Sequence, residues 1–338
     1  MSRPHFPRRQ FASPRTGQEG LTLTELMVSI TISMLVALAA TGLLLSSKAG
    51  YTTVDDGSRL QDSGRYALDL IGRSVRQTAW EQWDKAEAPL VLQATYSANI
   101  IGLDAKKLER KTAAIDVPAP DADDRRSDVL ALRFFGSAGG AAADNAVQDC
   151  AGLSASAPTL ENADAGRGWS IFYVADSSEG IPELRCKYQG DKGWNSEGIV
   201  EGVESFQVLY GLDTAGNGAS ARYVNASAID ALDAALVLVG ADAAEQARDK
   251  NRKTHWKKIV AIKIGLLLRG KQAAMQGATE TTYDLFGAQY SAKNATRDPG
   301  TSLSESVLGG KDGALRDRQR KVFNLTIQLR NRSDGDPT

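Results

Sequence analysis

The sequence predicts an α+β protein: a long N-terminal helix, apolar in its first half, packed on an antiparallel, β-sheet-rich body with long loops. Three observations carry this prediction. Residues 21–45 form an apolar run of 25 residues with a single charge, Glu25. The stretch that follows keeps apolar residues at helical spacing. From residue 128 onward, seven short segments rich in Val, Ile, Phe and Tyr lie between Gly, Asp and Asn, the pattern of strands and turns.

Residues 1–20 come first, with Arg3, Arg8, Arg9 and Arg15 against Glu19, and with Pro4, Pro7 and Pro14. They are expected to be an irregular leader on the cytoplasmic side of a membrane, since basic flanks stay inside. As a helix, residues 21–45 rise about 37 Å, more than the roughly 30 Å hydrocarbon layer. Residues 46–83 are expected to continue that helix with an amphipathic face. Leu60, Gly64, Ala67, Ile71 and Val75 recur at spacings of 4, 3, 4 and 4, with Arg59, Arg65, Asp69 and Arg73 between them. Such a face needs a sheet to cover it. A separate core helix after a linker is the competing reading, because Gly42, Gly50 and Gly57 soften the junction.

Residues 84–338 are expected to form the body. Its strands are predicted at 128–136, 169–176, 182–189, 203–213, 258–269, 280–287 and 321–331. Residues 211–218, Gly-Leu-Asp-Thr-Ala-Gly-Asn-Gly, are a turn signal. The polar or Ala/Gly-rich segments 110–127, 136–168, 214–250 and 291–318 are expected as loops, where partner contacts concentrate.

Composition narrows the function. The chain has 338 residues, 42% hydrophobic and 24% charged, with formal net charge −1. Removing residues 1–20 takes four arginines and one glutamate, leaving 36 basic against 40 acidic residues, a net of −4. Such a surface has no general attraction for phosphate backbones, so general nucleic-acid binding is not expected; a local basic patch stays open. The two histidines are His5 and His255, and His255, in Lys-Thr-His-Trp-Lys-Lys, reads as a solvated turn before a strand rather than a catalytic base. Gly265–Gln272 nearly spells a phosphate-binding loop, but Gln272 stands where Ser or Thr would hold magnesium. Segments 121–128 and 213–218 carry acids outside the register of a calcium-binding helix–loop–helix site. No cofactor, metal or paired catalytic carboxylates are assigned, and calcium in a loop stays the one metal option.

Glu25 is the residue that needs explaining. A lone carboxylate near the start of a membrane span is costly and is by default functional. A secretory signal, with 37–47 supplying the cut, or a plain anchor would fit the length. Neither has a use for the acid. The stretch Gly20-Leu21-Thr22-Leu23-Thr24-Glu25-Leu26-Met27-Val28 resembles the prepilin motif of type IV pilins and type II secretion pseudopilins. That resemblance implies that prepilin peptidase cuts between Gly20 and Leu21, that Leu21 becomes an N-methylated first residue, and that the apolar helix remains in the product. It also gives Glu25 the task of pairing with an N-terminal ammonium, its own or a neighbour's, as the subunit passes from bilayer to filament core. Each charge is costly alone at low dielectric and tolerable when paired. Leu21 stands where phenylalanine is usual, and Glu19 where a base is frequent.

Three further segments, 63–80, 202–213 and 322–332, resemble PilW-type minor pilins. Taken alone, Arg65, Arg73 and Arg76 within the first of them read as a solvated helix face. The resemblance implies a pilin-like fold and a non-enzymatic subunit that primes pilus assembly and enters the filament, near its tip in one version, supporting twitching, adhesion or DNA uptake. Implied partners are prepilin peptidase, other minor pilins, the major pilin, inner-membrane assembly machinery and membrane lipid. The implied location is a single inner-membrane pass with the body periplasmic, then the fimbrium. A J-type pseudopilin of type II secretion is the alternative, and a membrane-anchored periplasmic binding protein or enzyme the second.

The two cysteines, Cys150 and Cys186, both follow the span. In an oxidising periplasm an even pair suggests one disulfide, worth about 3–4 kcal/mol by loop entropy. Two buried thiols are the competing reading.

Overall fold

The structure is a computed structural model that describes residues 20–78, 96–115, 126–136, 146–155, 166–216, 218–220, 222–273, 280–309 and 315–329. The chain divides into two compact units, Met1–Thr52 and Thr53–Thr338. One helix, α1 (Leu23–Thr78), contributes to both.

In the first unit, every side chain of α1 from Leu23 to Tyr51 is exposed. The exposed set includes Leu26, Met27, Ile30, Leu35, Leu38 and Leu44. An apolar surface on all sides of a helix is the mark of a span or a helix-bundle core, since water would leave all of it unburied.

The second unit takes up the rest of α1. Here the expected periodicity appears as burial: Leu60, Gly64, Ala67, Ile71 and Val75 are buried while Arg59, Arg65, Asp69, Arg73 and Arg76 are exposed. The helix is continuous to Thr78; positions 79–83 of the expected continuation lie outside the described residues.

Five strands form an antiparallel meander, β1 (Ile100–Leu103), β2 (Val129–Phe134), β3 (Gly168–Asp176), β4 (Pro182–Gly190) and β5 (Gly193–Glu201). After Gly202 the chain enters β6 (Val203–Leu212), followed by β7 (Arg222–Val224), α2 (Ala226–Ala234) and α3 (Ala243–Lys253). A 3-10 turn at His255–Lys258 leads into β8 (Ile259–Ala273), then β9 (Thr282–Asp284), α4 (Ala288–Asn294), β10 (Ser302–Ser304), α5 (Glu305–Leu308) and β11 (Arg318–Gln328). The second sheet has the order β11-β8-β6-β7, and β9 and β10 pair as a small ribbon.

Ile262, Ile264, Leu266 and Leu268 of β8, Phe206 and Val208 of β6, and Phe323 and Ile327 of β11 share one core with Leu60, Ala67, Ile71 and Val75 of α1. Leu130, Leu132, Phe172 and Leu184 of the meander belong to the same core. Gly64 sets the closeness of this contact: a Cβ there would sit 2.5 Å from the Phe323 ring. Asp56 fixes the beginning of the contact, its carboxylate accepting from Lys271 N at 3.0 Å and Gln272 N at 3.3 Å.

Polar side chains complete the frame. Glu204 of β6 pairs with Arg320 of β11 at 2.6 Å and Arg269 of β8 at 3.2 Å, tying three strands together. On the outer face of the meander, Lys187 donates to the carbonyls of Glu109 and Ala114, each at 2.9 Å. This holds segment 104–115 over Val129, Ala131, Ile171 and Tyr173.

Each of the seven predicted strands overlaps an observed one. In the 280–287 segment only Thr282–Asp284 pairs, because Leu285 and Phe286 turn inward as a tight bend. Two predicted loops are corrected: 214–250 holds β7, α2 and most of α3, and 291–318 holds β10 and α5. The turn at 211–218 is present, Asp213 accepting from Gly216 N at 2.7 Å and Gly218 N at 2.8 Å. Gly265–Gln272 lies within β8, where Gly265–Leu268 pair with β11 and with β6, and forms no phosphate loop.

Candidate functional site: the start of the apolar helix

The helix begins at Leu23, so Thr22 is its N-cap and Glu25 the third helical residue. The two close a capping box. Thr22 N donates to Glu25 Oε2 at 3.1 Å, Thr22 Oγ1 donates to the same oxygen at 2.9 Å, and Glu25 N donates back to Thr22 Oγ1 at 3.3 Å. The carboxylate is thereby held against the positive end of the helix, within the first turn. Leu21, 79% exposed, and Gly20, also exposed, precede the cap as non-helical residues. Gly20, Leu21 and Glu25 therefore lie along one short stretch, the non-helical pair just ahead of the turn that carries the acid.

Thr22 is the site residue that sequence reasoning misses. Its signal is present all the same: Thr-x-x-Glu at 22–25 ahead of an apolar run is a helix-start signature.

Further along the span the hydroxyls turn back onto their own helix. Ser29 donates to Glu25 O, Ser33 to Ser29 O and Thr41 to Ala37 O, each at 2.7 Å, and Thr31 donates to Val28 O at 2.8 Å. A bonded hydroxyl costs far less in hydrocarbon than a bare one.

In the second unit Cys150 and Cys186 are bonded, with their Cα atoms 5.9 Å apart and a sequence separation of 36. The bridge joins the short 146–155 segment to β4, beside the bond from Cys150 N to Ser170 Oγ at 2.9 Å.

Among the described residues the other polar groupings tie elements together. His255, expected to be solvated, is half-buried, with Nδ1 2.7 Å from Asp233 Oδ1. The Thr254 hydroxyl donates to the same carboxylate rather than to the imidazole, so the trio joins α2 to the turn before β8 and is not a nucleophile–base pair. Among the described residues no group of three or more His, Cys, Asp or Glu is arranged to hold a metal ion. Buried Asp128 accepts from Val208 N at 2.8 Å and Ala105 N at 3.1 Å. Burial, with Asp104 and Asp298 nearby, pushes its carboxyl well above the usual range. Asp298 accepts from Tyr290 Oη at 2.9 Å and is pushed up to about 6, chiefly by burial.

The sequence matches the prokaryotic N-terminal methylation motif over residues 15–41, which brackets Gly20, Leu21, Thr22 and Glu25. It matches the family described as Type IV Pilus-assembly protein W over residues 171–331, from within β3 to just beyond β11. No curated protein and no solved structure matches the chain. In class, the chain is similar to prepilin-like proteins: a methylation-type motif heads an exposed apolar helix, in one chain with a sheet-rich body. Over residues 171–331, just under half of the chain, the body is similar to the PilW-type pilus-assembly family.

Proposed function

We propose that the chain is a non-enzymatic minor pilin, made as a precursor and processed between Gly20 and Leu21 by prepilin peptidase. Leu21 then carries the methylated amine, and Glu25 neutralises an N-terminal ammonium when the helix leaves lipid for the filament core. The protein is held in the inner membrane with its body in the periplasm. With other minor pilins and the assembly machinery it primes the pilus, then enters the filament near the tip. Twitching, adhesion and DNA uptake depend on it indirectly.

One observation carries this reading: an acid held by a helix cap stands at the start of a helix that is exposed on every side from Leu23 to Tyr51, inside a methylation motif. An anchor or secretory signal has no use for that acid. The match to a pilus-assembly family favours the pilus over the J-type pseudopilin. N-terminal mass spectrometry of the protein from its own cells is the test. The expected first residue is methyl-leucine at 21. A chain retaining residues 1–20, or trimmed beyond the span, would overturn the proposal.

A further inference from the structure

The capping box at the head of the span does more than start the helix. From Leu21 to Ser47 the chain has no lysine or arginine, so the span itself offers Glu25 no basic side chain. Both bonds that Thr22 gives the acid end on one oxygen. Thr22 N at 3.1 Å and Thr22 Oγ1 at 2.9 Å donate to Oε2. A carboxylate accepts on both of its oxygens, so Oε1 is left to receive a further donor. Thr24 Oγ1 lies 3.1 Å from Thr22 Oγ1; when it donates there, the Thr22 proton stays on the carboxylate. The glutamate is thereby folded back toward the residues that precede the helix.

Distance then separates two sources of ammonium. Consecutive backbone nitrogens are at most about 3.7 Å apart, from the lengths of the three bonds between them. Adding that step to the 3.1 Å bond of Thr22 N places Leu21 N within about 7 Å of Glu25 Oε2. Leu21 lies outside the helix, so rotation about its backbone brings an ammonium there into hydrogen-bond range of Oε1. An amine on another chain has no such tether and reaches the acid only after two helices associate. A tethered group meets its partner at an effective concentration that separate molecules do not attain.

We infer that Thr22 is a positioning residue: its hydroxyl and backbone N–H aim the Glu25 carboxylate at the N-terminal ammonium of the same chain. The ion pair then forms within one subunit, before any neighbour arrives. The inference rests on the processing between Gly20 and Leu21 proposed above, which creates that ammonium, and it chooses between its own chain and a neighbour as the source.

The test uses the full-length processed protein, monomeric in detergent, treated with an apolar carbodiimide. The Leu21 amine attacks the activated Glu25 carboxyl, an amide bond forms, and the reagent takes up the water lost and leaves as its urea. Glu25 is the one carboxyl of the tryptic peptide Leu21–Lys48. Closure within a chain therefore reads as that peptide lighter by one water, and coupling between chains as two such peptides joined. Yields are measured against total Glu25 activation, trapped by an added small amine. Wild type should close within the chain, and Thr22→Ser, which keeps a hydroxyl, should match it within about twofold. Thr22→Val, which keeps the shape without the hydroxyl, should close at least about fivefold less, as for one lost hydrogen bond. Thr22→Gly separates positioning from helix capping, since glycine caps nearly as well but has nothing to aim the acid; it should fall with Thr22→Val. Closure at the wild-type level in both variants overturns the inference, as does wild-type coupling found only between chains. A chain still carrying Gly20 closes in no variant, because its Leu21 N is an amide. Its tryptic peptide beginning at Thr16 identifies that outcome, which sinks the processing reading and this inference with it.

Discussion

Glu25 and Thr22 act as a pair, and each has a separable consequence. Glu25→Ala removes the acid but leaves the apolar run, so the protein should reach the membrane at wild-type level and be depleted from sheared filaments; immunoblots of both fractions check this. Asp298 illustrates the opposite electrostatic case. Its folded carboxyl is pushed up to about 6, above the ordinary 3.8, because of burial. The folded state therefore holds the proton more tightly, and the stability linked to it is full below about pH 4 and lost as pH rises through about 6. Each tenfold gain in proton affinity is worth about 1.4 kcal/mol, so the loss is on the order of 1–3 kcal/mol. Asp298→Asn should flatten that fall, giving a higher urea midpoint at pH 7.5 and little change at pH 4. Asp128, also raised, adds to the slope in the same direction.

The contact of α1 with β11 depends on the small size of one residue. In an open helix Gly→Ala gains up to about 1 kcal/mol. At Gly64 the new methyl would collide with the Phe323 ring, an overpacking penalty of about 1–3 kcal/mol. Gly64→Ala should therefore lower the melting temperature by a few degrees, whereas Gly42→Ala, where nothing lies within 4 Å, should not. The bridge from Cys150 to Cys186 is a second element-scale device. Cys150→Ser with Cys186→Ser should cost up to about 3–4 kcal/mol of unfolding free energy in denaturant titrations, with processing of the N-terminus unaffected. What the sequence revealed of these elements follows physical lines. Strands such as β6 and β8 were legible because both faces are covered and their apolar runs are dense. β5 was not, because it is an edge strand with Val200 alone buried and Asn195, Glu197 and Gly198 exposed. α2 and α3 escaped notice because alanine-rich turns with few large apolar residues resemble low-complexity loop. Thr22 escaped because its helix-start pattern overlaps the processing motif.

Across the whole molecule, the two units were legible to different degrees. The first is written in composition: 25 apolar residues with one acid need no tertiary context to be read. The second depends on pairings such as Glu204 with Arg320, 116 residues apart, which no local pattern announces. The hydroxyls of Ser29, Thr31, Ser33 and Thr41 carry one consequence beyond solubility in lipid. With each already satisfied by its own chain, these hydroxyls make no polar demand on whatever encloses the rod, and Glu25 is left as the group that does. On the proposed reading, acyl tails and sister rods would be interchangeable sheaths for these four hydroxyls, and only the Glu25 end would need to exchange a partner on passing from one to the other.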